Sequence, residues 1–155
     1  MLSMRALAFI IGRILKTLIM ASEYFLVMPR IDEVRLLRKR AKSFFVRALE
    51  SLNSGDYDLA AFLSEQSVQL YLKSILLEKI GDYPRVHSIL TLAFILKKLP
   101  DCKDLAEFLD KKKAEVRLLE DAYIASRYLL REYVKEEAEM LVNVASEVLK
   151  YGELC

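Results

Sequence analysis

Five side chains in the sequence have the chemistry to hold a phosphate group and a base: Lys73, Arg85, His87, Arg127 and Tyr128. Lysine and arginine bind phosphate oxygens, and an imidazole can hydrogen-bond either a phosphate or a base. Arg127 and Tyr128 are neighbours, and a planar guanidinium and an aromatic ring suit a phosphate and a stacked base. These five residues are therefore the candidate nucleotide-binding or phosphate-binding residues.

A structural role is the alternative for each candidate. His87 can cap the helix that follows it. Lys73 can form an ion pair or extend its charged end to solvent, as long basic side chains do. Arg127 and Tyr128 can hydrogen-bond the carbonyls at the end of a helix. The functional interpretation predicts that Lys73, His87, Arg127 and Tyr128 meet at one cleft, and the structural interpretation predicts that they are scattered.

The composition limits other kinds of chemistry. The single histidine and the two cysteines, Cys102 and Cys155, lack the spacing of metal ligands, so we expect no metal ion and no cofactor. So few cysteines also fit a reducing, cytoplasmic compartment. The net charge of +2 neither favours nor excludes nucleic acid, but residues 34–49 contain basic and no acidic side chains. A locally basic surface of this kind attracts phosphates through non-specific electrostatics, or is simply solvated.

The candidates must be positioned by helices. Four glycines and three prolines in 155 residues indicate long helices and short loops. Residues 59–80 are apolar in nearly every direction around a helix, which predicts a mostly buried central helix. Its one polar row is Glu65, Gln69 and Lys73, spaced i, i+4 and i+8. The row indicates either a site or contact along the central helix, or only its solvated edge.

Apolar periodicity and turn residues predict five helices between residues 31 and 151. The first ends at residues 53–56, and the central helix ends at residues 81–84. A third helix spans residues 89–99, a long fourth covers residues 105–123, and a fifth opens near residue 136. The fold class is therefore all-α, an antiparallel up-and-down bundle of about five helices in one domain, residues 29–155.

Residues 1–28 form a separate apolar extension. Arg13 and Lys16 interrupt its apolar run, so we expect neither a membrane span nor a signal peptide. As an extra helix it would place Arg5, Arg13, Lys16 and Glu23 on one narrow side. The apolar remainder must then cover the bundle, a second copy of the chain or a membrane surface. We favour an extra helix, or a true start at Met28, over membrane binding.

Four short segments occur in an order that is typical of one family. A Gly-Asp-Tyr turn precedes residues 60–77, AAFLSEQSVQLYLKSILL, and His87-Ser88 opens the third helix. Residues 121–128 read DAYIASRY, and residues 136–138 read EEA at the start of the last helix. Over residues 31–151 the chain thus resembles the HEPN domain family, small helical bundles of prokaryotes. Residues 60–77 are similar to the family's A-x-F-x-x-Q-x-x-E-x-x-L-K-A-x-L helix, with Gln69 where members often carry glutamate.

The resemblance implies a nucleotide-binding or RNA-processing domain and a homodimer. It also implies a minimal nucleotidyltransferase as partner, in a toxin–antitoxin-like pair. Nuclease members carry an arginine, four to six further residues and then a histidine on one helix, a pair that can polarise a phosphate and move a proton. Here Arg85 lies two positions before His87, and positions 80–82 hold no basic residue. The nuclease motif is therefore absent.

We expect a HEPN-type protein without catalysis of its own, and no catalytic residue is assigned. It would bind a nucleotide or an RNA phosphate, a nucleotidyltransferase partner, or both. Two other functions stay open. One is a metal-independent ribonuclease that uses Arg85 and His87 as a degenerate pair, and the other is a structural helical adaptor.

Overall fold

A computed structural model describes residues 3–155, with residues 23–29 described by their backbone alone. Six α-helices follow one another: α1 Met4–Asn53, α2 Tyr57–Ile80, α3 Ile89–Leu96, α4 Lys103–Lys111, α5 Lys113–Tyr128 and α6 Lys135–Glu153. A 3-10 turn, Pro100–Cys102, precedes α4. Within residues 3–155 there is no β-strand, and the predicted all-α bundle is confirmed.

The central position of α2 is also as predicted. Every residue from 71 to 77 is buried, and α1, α5 and α6 all pack along this helix. Asp56 caps its beginning by accepting a hydrogen bond from the backbone N–H of Leu59. Gly81 ends it with φ +82°, a left-handed conformation that glycine adopts without steric cost.

Close packing of α6 on α2 depends on a second glycine. A Cβ atom at Gly152 would lie 2.1 Å from Cε1 of Tyr71 and 3.1 Å from Cδ1 of Ile75. Both neighbours are buried, so neither ring nor methyl group has free space to move into. The missing side chain therefore allows the last turn of α6 to lie against α2.

The first helix joins two segments that the sequence suggested were separate. It continues through residue 29 and spans 50 residues, or roughly 75 Å at about 1.5 Å per residue. Residues 34–53 enter the core through the buried side chains of Val34, Leu37, Ala41 and Ala48. Residues 7–22 are exposed. The extra helix that the sequence favoured is thus continuous with the first helix of the bundle.

The structure divides the predicted fourth helix in two. The helical conformation is lost at Lys112, with φ −97° and ψ +27°. This break lets α4 pack on α3 and α6 while α5 packs on α2. Neither glycine nor proline marks the position, and lysine is a good helix former. Tertiary packing, rather than a local sequence signal, therefore sets this boundary.

A disulfide between Cys102 and Cys155 ties the end of α6 to the turn before α4, with 4.7 Å between the two Cα atoms. The sequence did not predict this pairing, because no pattern in it shows that two cysteines 53 positions apart lie close together in the fold. Disulfides are rare in reducing compartments, so the cytoplasmic location stays a prediction. Among the described helices, none has the length and apolar character that crossing a bilayer requires.

Candidate functional site

The polar row of α2 is buried rather than solvated. Glu65, Gln69 and Lys73 are exposed by 0%, 5% and 8%. The Lys73 ammonium donates to Gln69 Oε1 at 3.0 Å, and Gln69 Nε2 donates to Glu65 Oε1 at 2.7 Å. Gln66 donates to the second oxygen of Glu65 at 2.7 Å. The row is therefore a connected hydrogen-bond chain, as buried polar groups require, and it is not the edge of a core helix.

Burial shifts both charged members of the row towards their neutral forms. Loss of hydration raises the pKa of Glu65 to about 7, against the opposing effects of the Gln66 and Gln69 hydrogen bonds and the charges of Lys73 and Arg127. Burial lowers the pKa of Lys73, while the Glu65 carboxylate raises it. Glu65 can therefore gain or lose a proton near neutral pH.

Gln69 connects the row to the loop between α2 and α3. Its Nε2 also donates to the backbone carbonyl of His87 at 3.3 Å. The helix α3 is capped by Ser88, whose hydroxyl accepts from the N–H of Thr91 at 3.1 Å. The His87 ring instead stacks on Tyr123, with 4.3 Å between the ring centroids, and its Nε2 lies 3.2 Å from the Tyr123 hydroxyl. His87 is thus exposed beside an aromatic ring and does not serve as the cap.

Arg127 lies on the same tyrosine. Its guanidinium carbon is 4.4 Å from the centroid of the Tyr123 ring and 5.0 Å from that of Phe62. Tyr123 and Arg127 are four residues apart on α5, so their side chains share one face of the helix. The attraction between a cation and an aromatic face holds this guanidinium in place. The described hydrogen bonds include none from Arg127 to a carbonyl at the end of α5.

Tyr83 holds the other two cations. The Lys73 ammonium lies 5.6 Å from the centroid of this ring, and the Arg85 guanidinium lies 4.9 Å from it. Arg85 also donates a hydrogen bond to the Tyr83 hydroxyl at 3.2 Å. Gln69, which is hydrogen-bonded to Lys73 and to the His87 carbonyl, links this group to the one on Tyr123. We call the two groups together the aromatic–cationic cluster; its members are Lys73, Tyr83, Arg85, His87, Tyr123 and Arg127.

Four of the five residues proposed from the sequence belong to this cluster, and Tyr128 does not. The Tyr128 side chain is 75% exposed, and within the described residues no hydrogen bond or ring contact joins it to the cluster. Sequence reasoning missed Tyr83 and Tyr123. The spacing of Tyr123 and Arg127 by one helical turn was an available signal, whereas Tyr83 sits in a turn whose path the sequence did not indicate.

The cluster combines positive charge with aromatic faces. Arg85, His87 and Arg127 are exposed and can donate hydrogen bonds to an anion. The exposed His87 imidazole and Arg127 guanidinium, which lie on the Tyr123 ring, are planar groups on which a base can stack. In the described part of the chain, no group of histidine, cysteine, aspartate and glutamate side chains could hold a metal ion.

Comparisons with known proteins decide the family. The HEPN domain family model matches residues 34–154. The chain belongs to the HEPN family. Its structure is similar to that of TT1696 from Thermus thermophilus, with a TM-score of 0.62 and 30% sequence identity, over 77% of this chain and 95% of that one. Comparison with curated proteins gives no match.

The resemblance that the sequence motifs indicated is therefore confirmed. The HEPN match begins at residue 34, and Val34 is the first buried residue among the described side chains of α1. It contains all six members of the aromatic–cationic cluster. The exposed first part of α1 lies outside the HEPN match.

Proposed function

We propose that this HEPN protein binds the phosphate of a nucleotide or of RNA at the aromatic–cationic cluster, without catalysis of its own. The observation that carries the proposal is that His87 and Arg127 share the Tyr123 ring, while Lys73 and Arg85 share the Tyr83 ring. Gln69, which accepts from Lys73 and donates to the His87 carbonyl, links the two groups. These residues come from α2, from the loop after it and from α5. Charged donors beside stacking faces are the combination that a nucleotide requires.

The electrostatics of the cluster support an anionic ligand. Lys73 and Arg127 are cations near one carboxyl, Glu65, whose pKa of about 7 leaves it partly protonated at neutral pH. Burial is the main cause that lowers the pKa of Lys73, and the like charge of Arg85 lowers it further by repulsion. A phosphate at this surface would relieve that repulsion.

The geometry of the degenerate pair supports binding over cleavage. Arg85 and His87 precede α3 in a loop, whereas the nuclease motif places its arginine and histidine on one helix. The Arg85 guanidinium lies on Tyr83 and the His87 imidazole on Tyr123. A metal-independent ribonuclease would need both groups at one phosphate, so we place this activity second.

A minimal nucleotidyltransferase is the protein partner that we propose, in a toxin–antitoxin-like pair. Family membership supports it. Such a partner binds nucleotides itself, and would bring a nucleotide to the same surface. The binding proposal does not depend on the partner, and is tested with the isolated protein.

Arg127→Ala is expected to weaken the binding of ATP and of a short single-stranded RNA by about tenfold to a hundredfold. A hydrogen bond to a charged group contributes about 1.5–3 kcal/mol, and about 1.4 kcal/mol corresponds to tenfold in affinity. Isothermal titration calorimetry of the wild type and the variant measures this change. Arg117→Ala is the matched control, because Arg117 is an exposed arginine on the same helix, outside the cluster; its affinity should equal that of the wild type.

The proposal fails if the wild type binds neither ATP nor RNA, or if the two arginine variants lose affinity equally. Cleavage of the RNA by the wild type, lost on His87→Ala, would instead establish the ribonuclease.

A further inference from the structure

A groove lies between α1 and the C-terminal end of α2, and it shares no residue with the aromatic–cationic cluster. Its volume of about 470 Å³ is within the range of small-molecule sites in proteins. Eight residues line it: Arg30, Ile31, Val34, Arg35, Arg38, Leu77, Glu78 and Gly81. We call it the arginine groove.

Aliphatic side chains form one part of the lining. Val34 and Leu77 are 6% and 5% exposed and belong to a small buried cluster between α1 and α2, whereas Ile31 is 42% exposed. The eight residues include no aromatic side chain, unlike those of the aromatic–cationic cluster. An aliphatic group would complement this part of the groove, because it would remove the apolar surface from water.

The charged part of the lining is positive overall. Three arginines contribute to it, with one acid, Glu78. Both terminal nitrogens of Arg38 donate to the Glu78 carboxylate, and these hydrogen bonds hold the pKa of Glu78 below its usual value. Glu78 therefore offsets one guanidinium and leaves the lining with a net positive charge. A negatively charged ligand is complementary to such a surface.

Two of the arginines keep donors for a ligand. Arg38 Nε is buried and has no hydrogen-bond partner among the described residues. The Arg35 guanidinium lies 3.7 Å from the Asp32 carboxylate, and these side chains are 78% and 81% exposed, so their ion pair contributes little. Arg35 can therefore exchange Asp32 for another carboxylate at little cost, and one guanidinium can bind both oxygens of such a group.

Gly81 allows the third arginine to lie at the groove. A Cβ atom at Gly81 would be 2.7 Å from a terminal nitrogen of Arg30, so a larger residue would displace this guanidinium. The missing side chain lets Arg30 lie against the C-terminal end of α2, where the helix dipole favours a cation.

The walls of the groove favour a small molecule over a peptide. All of its residues except Gly81 belong to α1 or α2, and the backbone groups of a helix are mostly hydrogen-bonded within it. The amide groups of a peptide would find few backbone partners there, and burying them unpaired is costly. A molecule with a single polar end avoids this cost.

We propose that the arginine groove binds an aliphatic carboxylate, a molecule with an apolar chain and one terminal carboxylate. The chain lies on the aliphatic part of the lining, and the carboxylate accepts hydrogen bonds from Arg35 and Arg38. Residues 30–38 cover roughly 12 Å of α1 at about 1.5 Å per residue, which suits a chain of medium length such as octanoate. This site is additional to the proposed phosphate site and does not depend on it.

Isothermal titration calorimetry of the full chain with octanoate should show saturable binding. Octanamide has the same chain without the charge, and acetate has the same charge with almost no chain. Each should bind at least about tenfold more weakly than octanoate, a difference of about 1.4 kcal/mol. ATP should not displace octanoate.

Two pairs of variants locate the ligand. Arg35→Ala should weaken octanoate binding by about tenfold, whereas Arg40→Ala, at an exposed position of α1 outside the groove, should keep the wild-type affinity. Ile31→Glu should abolish binding because it places an acid in the groove, whereas Leu36→Glu, outside the groove, should not. Ile31 and Leu36 are 42% and 43% exposed, so circular dichroism should show both variants folded.

Three results would overturn the proposal: no saturable binding of octanoate to the wild type, equal affinities for octanoate and octanamide, or equal losses in the two members of either pair. Displacement of octanoate by ATP would also overturn it, because the groove would then be part of the phosphate site.

Discussion

Replacing Glu65 by glutamine is expected to remove a pH-dependent change in stability on the order of 3 kcal/mol. Burial raises the pKa of this carboxyl from its ordinary 4.5 to about 7. Between these values the folded protein keeps a proton that the unfolded chain has released. The wild type therefore loses stability as the pH rises from 4.5 through about 7, and the stabilisation is fully present only below 4.5.

The measurement compares the free energies of unfolding of the wild type and Glu65→Gln in urea, from about pH 4 to about pH 9. Glutamine does not titrate, so the wild-type advantage should fall across this range and then level off. Glu107→Gln, at an exposed position on α4, is the control and should give a difference with little dependence on pH. A constant difference for Glu65→Gln, or one that grows with pH, would contradict the buried protonated carboxyl.

Leu72→Ala is expected to cost about 2–5 kcal/mol of stability. Leu72 is fully buried in the middle of α2, and the neighbouring helices cannot close the space that the lost methyl groups leave. Domains are stabilised by only about 5–15 kcal/mol in total, so the loss is a large share. Chemical unfolding of the wild type and the variant at one pH gives the value.

Leu59→Ala is the matched control for this substitution, because it changes the same residue type near the beginning of the same helix. Leu59 is 42% exposed, and exposed substitutions usually change stability by within about 0.5 kcal/mol. Equal losses in the two variants would contradict the central position of α2.

The central helix and the fold class were predictable because they depend on how apolar side chains are distributed around each helix, which the sequence shows directly. The all-round apolar character of residues 59–80 requires neighbours on every side, and the structure supplies them. The break at Lys112 was not predictable, since no residue there disfavours a helix. The continuity of α1 was hidden by proline at position 29, which usually ends or bends a helix.

The candidate site was predictable by residue type and less so by geometry. Tyr128 was chosen because it follows Arg127, but consecutive residues on a helix point about 100° apart. Tyr123, one turn earlier, is the tyrosine that shares the face of Arg127. Ser88, and not His87, caps α3 because serine strongly prefers the N-cap position. The contacts of Tyr83 depend on the path of a loop, which no periodicity describes.

The most direct test of the proposed phosphate site uses the only histidine of the chain, His87. Its ring-proton signals in an NMR spectrum need no assignment against other histidines. Titration with ATP should shift these signals until binding saturates, and the same titration of Arg127→Ala should need a much higher ATP concentration. Signals that stay unchanged at an ATP concentration that saturates the calorimetric titration would show that ATP binds elsewhere, and would contradict the site.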